Sequence, residues 1–172
     1  PNVKEGAIAF GQKADALYNI TSEIKKHAKQ PIIMKLSPNV TDITEMARAA
    51  ESAGADALSL INTLTGMKID IYRRNFALAN KTGGMSGPAI KPIAVRMVYQ
   101  VANAVKIPII GMGGIANAED ALEFMMAGAT GVAVGAMNFI NPYATVETVE
   151  GIERFMEQQN IDNITDIIGC VK

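Results

Sequence analysis

The sequence predicts an α/β protein in which helices pack against a parallel β-sheet. Short apolar runs bounded by glycine or proline alternate with longer amphipathic stretches, and this alternation is typical of βαβ units. The composition agrees, because 49% of the 172 residues are hydrophobic and 19% are charged. These values exclude a disordered or fibrous chain.

Four apolar runs are the predicted strands, and each is bounded by residues that break regular structure. Such runs are typical of strands that are buried on both faces. They cover residues 31–36, 57–61, 107–111 and 131–135. The long gap between the second and third runs, residues 62–91, contains four glycines, and we interpret it as a functional loop.

Amphipathic stretches and capping residues predict the helices. Asp42, with Glu45 completing a capping box, and Asn117, with Asp120, are the predicted N-caps of two helices. The predicted helices cover residues 12–28, 42–54, 91–105, 117–128, 142–159 and 164–168.

Two parallel architectures are compatible with this order: an open doubly wound sheet and a (β/α)8 barrel, the TIM barrel. No G-x-G-x-x-G motif follows the first strand, which disfavours the doubly wound, dinucleotide-binding sheet. A complete barrel needs about 200–250 residues, and four strands are half of one. We therefore expect residues 1–172 to be the C-terminal half of a single barrel domain. The chain begins with Pro1 instead of Met, so we expect it to be processed, cut or incompletely represented.

Charge, cysteine and histidine usage exclude several function classes. A net charge of −1 gives no reason to expect nucleic acid or an anionic membrane as a partner. A single cysteine, Cys170, forms no internal disulfide or zinc cluster, so we predict no metal site and a reducing, cytoplasmic location. The only histidine, His27, lies among lysines and is interpreted as solvated, which disfavours a Ser-His-Asp triad. We expect no membrane span and no secretory leader.

Glycines at the ends of the last two strands predict a phosphate site. Gly111-Met112-Gly113-Gly114 follows the third strand, and Gly135-Ala136 ends the fourth. In barrels, the loops after strands seven and eight often bind phosphate together with a short helix, here predicted at residues 136–139. Glycine allows backbone N–H groups to approach phosphate oxygens. The alternative is that these glycines only form tight turns.

Polar residues at the ends of the first two strands predict the rest of the site. Lys35 ends an apolar strand, so its ammonium group should face an anionic ligand or a carboxylate, where it could stabilise charge on a cofactor ring. The alternative is a lysine that reaches the solvent at a strand end. Asn62 and Thr63 end the second strand and suit a substrate with carbonyl, amide and carboxylate groups, although both are also common in turns.

Several motifs follow one another along the sequence: Pro1-Asn2-Val3-Lys4-Glu5-Gly6, Phe10-Gly11, Met34-Lys35-Leu36-Ser37-Pro38-Asn39, Ile61-Asn62-Thr63, Gly84-Met85-Ser86-Gly87-Pro88-Ala89-Ile90-Lys91-Pro92, Gly111-Met112-Gly113-Gly114-Ile115 and Val134-Gly135-Ala136. They occur in the order found in class 1B dihydroorotate dehydrogenases, which the sequence resembles over nearly its whole length. Ala7 departs from the family, which usually has a second glycine there.

This resemblance implies an FMN-binding TIM barrel that oxidises (S)-dihydroorotate to orotate in pyrimidine biosynthesis. The family's base is a cysteine immediately before the motif that begins here at Pro1, so the base is expected on a preceding segment, within a mobile loop that closes over the substrate. Electrons would pass to NAD through an electron-transfer subunit carrying FAD and a 2Fe-2S cluster, in a heterotetramer of two catalytic and two electron-transfer subunits. By matched position, FMN would contact Lys35, Ile61, Gly87, Gly113, Gly114, Gly135 and Ala136, and the substrate would contact Asn2, Asn62 and Thr63.

Three rival hypotheses stay open from the sequence. The first is another FMN barrel, such as a dihydrouridine synthase or the pyrimidine domain of dihydropyrimidine dehydrogenase, although the near-neutral charge disfavours a tRNA partner. The second is a phosphate-binding barrel isomerase without flavin. The third is a non-catalytic half-barrel that only binds or assembles.

Overall fold

A four-stranded parallel sheet forms the centre of the protein, as seen in a computed structural model that describes residues 11–171. The strands in the sheet lie in the order β1 (Ile33–Lys35), β2 (Ala57–Leu60), β7 (Ile109–Met112) and β8 (Gly131–Ala133), and each adjacent pair is parallel. In chain order the elements are α1 (Ala14–His27), β1 (Ile33–Lys35), α2 (Ile43–Ser52), β2 (Ala57–Leu60), β3 (Leu64–Met67), β4 (Ile69–Asp70), β5 (Asn75–Phe76), β6 (Thr82–Met85), α3 (Lys91–Ala102), β7 (Ile109–Met112), α4 (Ala118–Met126), β8 (Gly131–Ala133) and α5 (Ala144–Gln159), with short 3-10 helices at Pro88–Ile90, Ala136–Phe139 and Ile164–Ile167.

The core lies between one face of this sheet and the helices. Leu58 and Leu60 of β2 are fully buried, and Ile109 of β7 is nearly so. They belong to the same apolar cluster as Val98 of α3 and Phe124 of α4. Because side chains alternate between the two faces of a strand, Leu58 and Leu60 lie on one face of the sheet, against which the helices pack.

Both predicted N-caps are confirmed. The Asp42 carboxylate accepts the Thr44 backbone N–H at 2.8 Å, and the Asn117 side chain accepts the Asp120 N–H at 2.9 Å. The capping box is not completed, because no hydrogen bond found in the described residues joins the Asp42 N–H to the Glu45 carboxylate; the Asp42 side chain accepts instead from the N–H and the hydroxyl of Thr44.

The segment 62–91, interpreted from the sequence as one long functional loop, contains regular structure. The segment contains two antiparallel strand pairs, β3 with β6 and β4 with β5. Glycine-rich strands such as β6 have little intrinsic strand preference, so their pairing was not visible in the sequence. A Cβ built on Gly84 would lie 2.7 Å from the Thr63 Cβ, so the glycine lets the hairpin approach the end of β2.

The prediction that all four main strands are buried on both faces is also wrong. In the described structure β1 and β8 form the two edges of the sheet, and Ile33 in β1 is 50% exposed. Exposed apolar side chains continue beyond both edges, with Tyr18 and Ile24 on α1 and, after β8, Phe139, Ile140, Tyr143, Val146 and Val149. No helix within residues 11–171 is both long and apolar enough to cross a membrane.

Candidate functional site

A cleft of about 200 Å³ lies at the carboxyl ends of the four parallel strands. Parallel strands bring their carboxyl ends to one edge, so residues distant in sequence meet there. Asn2 lies outside the described residues. All the other predicted site residues line this cleft, namely Lys35, Ile61, Asn62, Thr63, Gly87, Gly113, Gly114, Gly135 and Ala136.

Two glycines form the tight turn that follows β7. Gly113 and Gly114 have φ angles of +121° and +87°, a region that residues with a Cβ rarely adopt. A Cβ built on Gly114 would lie 2.9 Å from the Gly87 carbonyl oxygen and 2.8 Å from the Lys91 Cβ. The turn therefore packs directly against the start of α3 while its backbone lines the cleft.

Backbone N–H groups at the ends of β7 and β8 are available to a ligand. Within the described chain, the N–H groups of residues 113–115 and 135–137 donate to no other residue, whereas the Ala116 N–H donates to Asp120 at 2.8 Å. A Cβ built on Gly135 would have no atom within 4 Å, so space is open above this backbone. Two groups of N–H donors at one cleft edge are suited to an anion such as a phosphate.

Lys35 supplies positive charge to the same cleft. It is the only charged side chain among the described residues that line the cleft. It ends the edge strand β1 and is exposed, and none of the ion pairs found in residues 11–171 includes it. Of the two expected partners, an anionic ligand or a carboxylate, the carboxylate is not found in this part of the chain, and the ammonium group is available to an anionic or polarised ligand.

Asn39 is a site residue that sequence reasoning missed. Its side-chain Nδ2 donates to the Thr63 carbonyl at 3.1 Å, and its Oδ1 accepts the Thr65 N–H at 2.9 Å. This two-sided contact fixes the backbone that carries Thr63 into the cleft. The sequence held two signals for it: its place at the end of the motif Met34–Asn39, and its position four residues after Lys35, beyond the carboxyl end of β1.

A second, more polar cleft adjoins the first and shares Lys35, Asn62 and Thr63 with it. Its remaining walls come from the loop after β1, from the β3–β6 hairpin and from Gly11 and Gln12. Lys35 is again the only charged residue among the described residues lining it. Hydroxyl and amide groups beside one ammonium group suit a small polar ring that carries carbonyl or carboxylate groups.

A compact ion-pair network lies behind the turn after β7. The Lys91 Nζ is 2.7 Å from Asp120 Oδ1 and 2.6 Å from Glu123 Oε1. The hydrogen bond to Asp120 raises the pKa of Lys91 above its ordinary value, and the hydrogen bond to Glu123 is the second contribution. Lys91 is therefore charged at neutral pH. Sequence reasoning identified Lys91 and Asp120 only as residues at helix starts.

The residues interpreted as uninvolved lie away from the cleft. The His27 side chain is 79% exposed and lies 3.4 Å from Glu23 in the last turn of α1, which confirms a solvated histidine. Cys170 is exposed and unbridged. No group of three or more potential metal ligands is found within residues 11–171.

The parallel sheet, its covering helices and a site at the carboxyl ends of its strands define part of an α/β barrel. The fold comparison agrees. The structure of DHODH from Eimeria tenella in complex with ferulenol is similar to this chain, with a TM-score of 0.78 and 25% sequence identity. The match covers 99% of this chain and 51% of the Eimeria tenella chain. The chain is thus the second half of a (β/α)8 barrel, as predicted from the sequence.

The chain belongs to the dihydroorotate dehydrogenase family, whose model matches residues 1–156. It is 78% identical over all 172 residues to the dihydroorotate dehydrogenase B (NAD(+)) catalytic subunit of Lachnoclostridium phytofermentans, covering 57% of that protein. It is 63% identical over 169 residues to the same subunit of Alkaliphilus oremlandii, covering 56% of it. The chain therefore spans about half the length of the curated relatives it matches.

Proposed function

We propose that this chain carries the cofactor cleft and part of the substrate site of an NAD-linked dihydroorotate dehydrogenase catalytic subunit, which oxidises (S)-dihydroorotate to orotate in pyrimidine biosynthesis. The observation that carries this proposal is the meeting of two groups of backbone N–H donors and one lysine ammonium group in a single cleft. The names of the relatives supply the reaction and the class of enzyme.

The described residues fit FMN. The turns at Gly113-Gly114 and Gly135-Ala136 present N–H donors to a phosphate, and a Cβ would fill the closely packed space at Gly114. When bound, FMN supplies the hydride acceptor of the reaction. Ile61 and Gly87 also line the cleft, where they would contact the cofactor.

Lys35, Asn62 and Thr63 then have separate roles. The Lys35 ammonium would stabilise negative charge that develops at the cofactor ring, because opposite charges attract and Lys35 is the only charged side chain among the described residues that line the cleft. Asn62 and Thr63 lie where the two clefts join, so they are placed to hold the substrate against the cofactor. The substrate role proposed for Asn2 concerns a residue outside the described range.

The base that removes the substrate proton belongs to another segment in this proposal. Among the described residues, neither cleft is lined by a thiol, an imidazole or a carboxylate. We assign the role to a cysteine immediately before the Pro1 motif, in accordance with the family resemblance, on a loop that closes over the substrate.

Two partners complete the proposed enzyme. The first is the N-terminal half of the barrel, which would cover the exposed apolar residues at the β1 and β8 edges, such as Ile33 and Phe139. The second is an electron-transfer subunit with FAD and a 2Fe-2S cluster that passes electrons to NAD, in a cytoplasmic heterotetramer of two subunits of each kind. The description of the relatives as NAD-linked catalytic subunits supports a second subunit.

Anaerobic absorption spectroscopy of the full-length catalytic subunit that contains this chain tests the proposal. We expect a flavin band at about 450 nm that bleaches when dihydroorotate is added. Dihydrouracil and dihydrouridine serve as matched control substrates and should leave the band unchanged. Bleaching by a control but not by dihydroorotate would favour another FMN barrel, and a colourless protein would favour the flavin-free isomerase or the non-catalytic half-barrel.

A further inference from the structure

The Lys91–Asp120 pair connects two helix starts behind the cleft. Lys91 is the first residue of α3, and Asp120 lies in the first turn of α4. Their side chains are 23% and 12% exposed, and their charged atoms are 2.7 Å apart. A pair shielded to this degree is screened less by solvent than a surface pair.

Asp120 also holds the end of the turn that lines the cleft. Its Oδ2 accepts the Ala116 N–H at 2.8 Å, while its own backbone N–H donates to the Asn117 side chain at 2.9 Å. The same carboxylate therefore bonds Lys91 through one oxygen and the residue after Ile115 through the other. This arrangement directs the Ala116 N–H away from the cleft and leaves those of Gly114 and Ile115 for a ligand.

A carboxylate in this position conflicts with anion binding unless its charge is neutralised. Asp120 lies directly behind a turn whose N–H groups suit a phosphate, and Glu123 adds a second negative charge near it. Lys91 bonds both carboxylates. Without the lysine, two negative charges would repel a phosphate in the cleft, and Asp120 would lose the partner that orients it.

We propose that Lys91 is a positioning residue for the phosphate of the cofactor: it neutralises Asp120 and holds the Asp120–Ala116 bond that orients the turn. This inference rests on the proposed function, because it takes the ligand of the turn to be the FMN phosphate. Lys91 itself does not line the cleft, so its effect passes through Asp120.

The test compares FMN with riboflavin, which has the same ring system and no phosphate. Full-length catalytic subunit is stripped of flavin, and both ligands are titrated by quenching of flavin fluorescence. We expect Lys91→Met to raise the Kd for FMN about tenfold and to leave the Kd for riboflavin within about twofold of the wild type. Lys106→Met, at an exposed lysine that lines neither cleft, is the matched control and should change neither value.

A double variant separates charge neutralisation from simple packing. In Lys91→Met/Asp120→Asn only the half-exposed Glu123 carboxylate stays charged, so the network has the same net charge as in the wild type. An amide oxygen can still accept the Ala116 N–H, so the FMN Kd should return to within about threefold of the wild type. If Lys91→Met does not fold, as judged by thermal unfolding of the flavin-free protein, Lys91→Gln replaces it with the same expectations.

The outcomes are distinguishable from failure of the proposed function. A wild-type protein that binds neither flavin overturns the proposed function and this inference with it. A wild-type protein that binds FMN, combined with equal losses for FMN and riboflavin in Lys91→Met, overturns only the inference. A double variant no better than Lys91→Met also overturns the inference.

Discussion

A single methyl group added at Gly114 should disrupt the turn on which the proposed FMN binding depends. The residue has a φ of +87°, so a side chain costs about 1–2 kcal/mol there in backbone strain. The new Cβ would also lie 2.9 Å from the Gly87 carbonyl oxygen and from the Lys91 backbone nitrogen, and overpacking of this kind costs about 1–3 kcal/mol. Both contacts are backbone atoms of neighbouring segments, so the turn itself must move.

Movement of the turn displaces its N–H donors from the phosphate. Loss of one hydrogen bond to a charged group costs about 1.5–3 kcal/mol, which weakens binding about 10- to 150-fold. The assay is FMN titration of the flavin-free, full-length catalytic subunit carrying Gly114→Ala, together with its thermal unfolding. Gly66→Ala is the control, since its nearest contact would be an ordinary 3.8 Å. An FMN Kd within twofold of the wild type in a folded Gly114→Ala protein would refute this reasoning.

Three further predictions concern other residues, each measured in the full-length subunit. Lys35→Ala should slow flavin reduction by dihydroorotate at least about tenfold in stopped-flow experiments, because its positive charge is lost. The unfolding temperature should change little, because the residue is exposed. Unchanged reduction kinetics would show that Lys35 does not have this role. Asn39→Ala should raise the KM for dihydroorotate about tenfold, because the Thr63 backbone loses its hydrogen bond from Asn39. The FMN Kd should stay within about twofold of the wild type. A changed FMN Kd with an unchanged KM would contradict this prediction. Hydrogen bonds from Lys25 lower the pKa of Asp56. At pH values above the ordinary aspartate pKa, the charged Asp56 therefore stabilises the fold. This stabilisation is lost as the pH falls through the lowered pKa. Asp56→Asn should therefore lose less thermal stability than the wild type between neutral pH and about pH 3, and an identical pH profile would count against the ion pair.

The parts of the fold that depend on local sequence could be predicted. The four main strands are apolar runs between breakers, and the Asp42 and Asn117 caps are local patterns, so both were found at nearly their observed positions. The convergence of distant site residues was predictable as well. Once the strands are taken as parallel, residues at their carboxyl ends share one edge, which brings Lys35 and Gly135 to the same cleft.

Features that depend on distant contacts could not be predicted. The β3–β6 pairing relies on close approach at Gly84, which is visible only when Thr63 is placed in space. The exposure of β1 depends on which strands lie beside it, a property of the sheet and not of the strand. The Lys91–Asp120 bond joins residues 29 positions apart, and neither residue carries a local sign of the other.

The central claim is that N–H groups after β7 and β8 bind the phosphate of FMN while the Lys35 ammonium faces its ring. A crystal structure of the full-length catalytic subunit with FMN tests it most directly. We predict phosphate oxygens at about 3 Å from backbone nitrogens of both the Gly113–Ile115 turn and the Gly135–Met137 segment, with Lys35 Nζ in hydrogen-bond contact with the ring. A phosphate bound elsewhere, or Lys35 directed away from the ring, would contradict the claim.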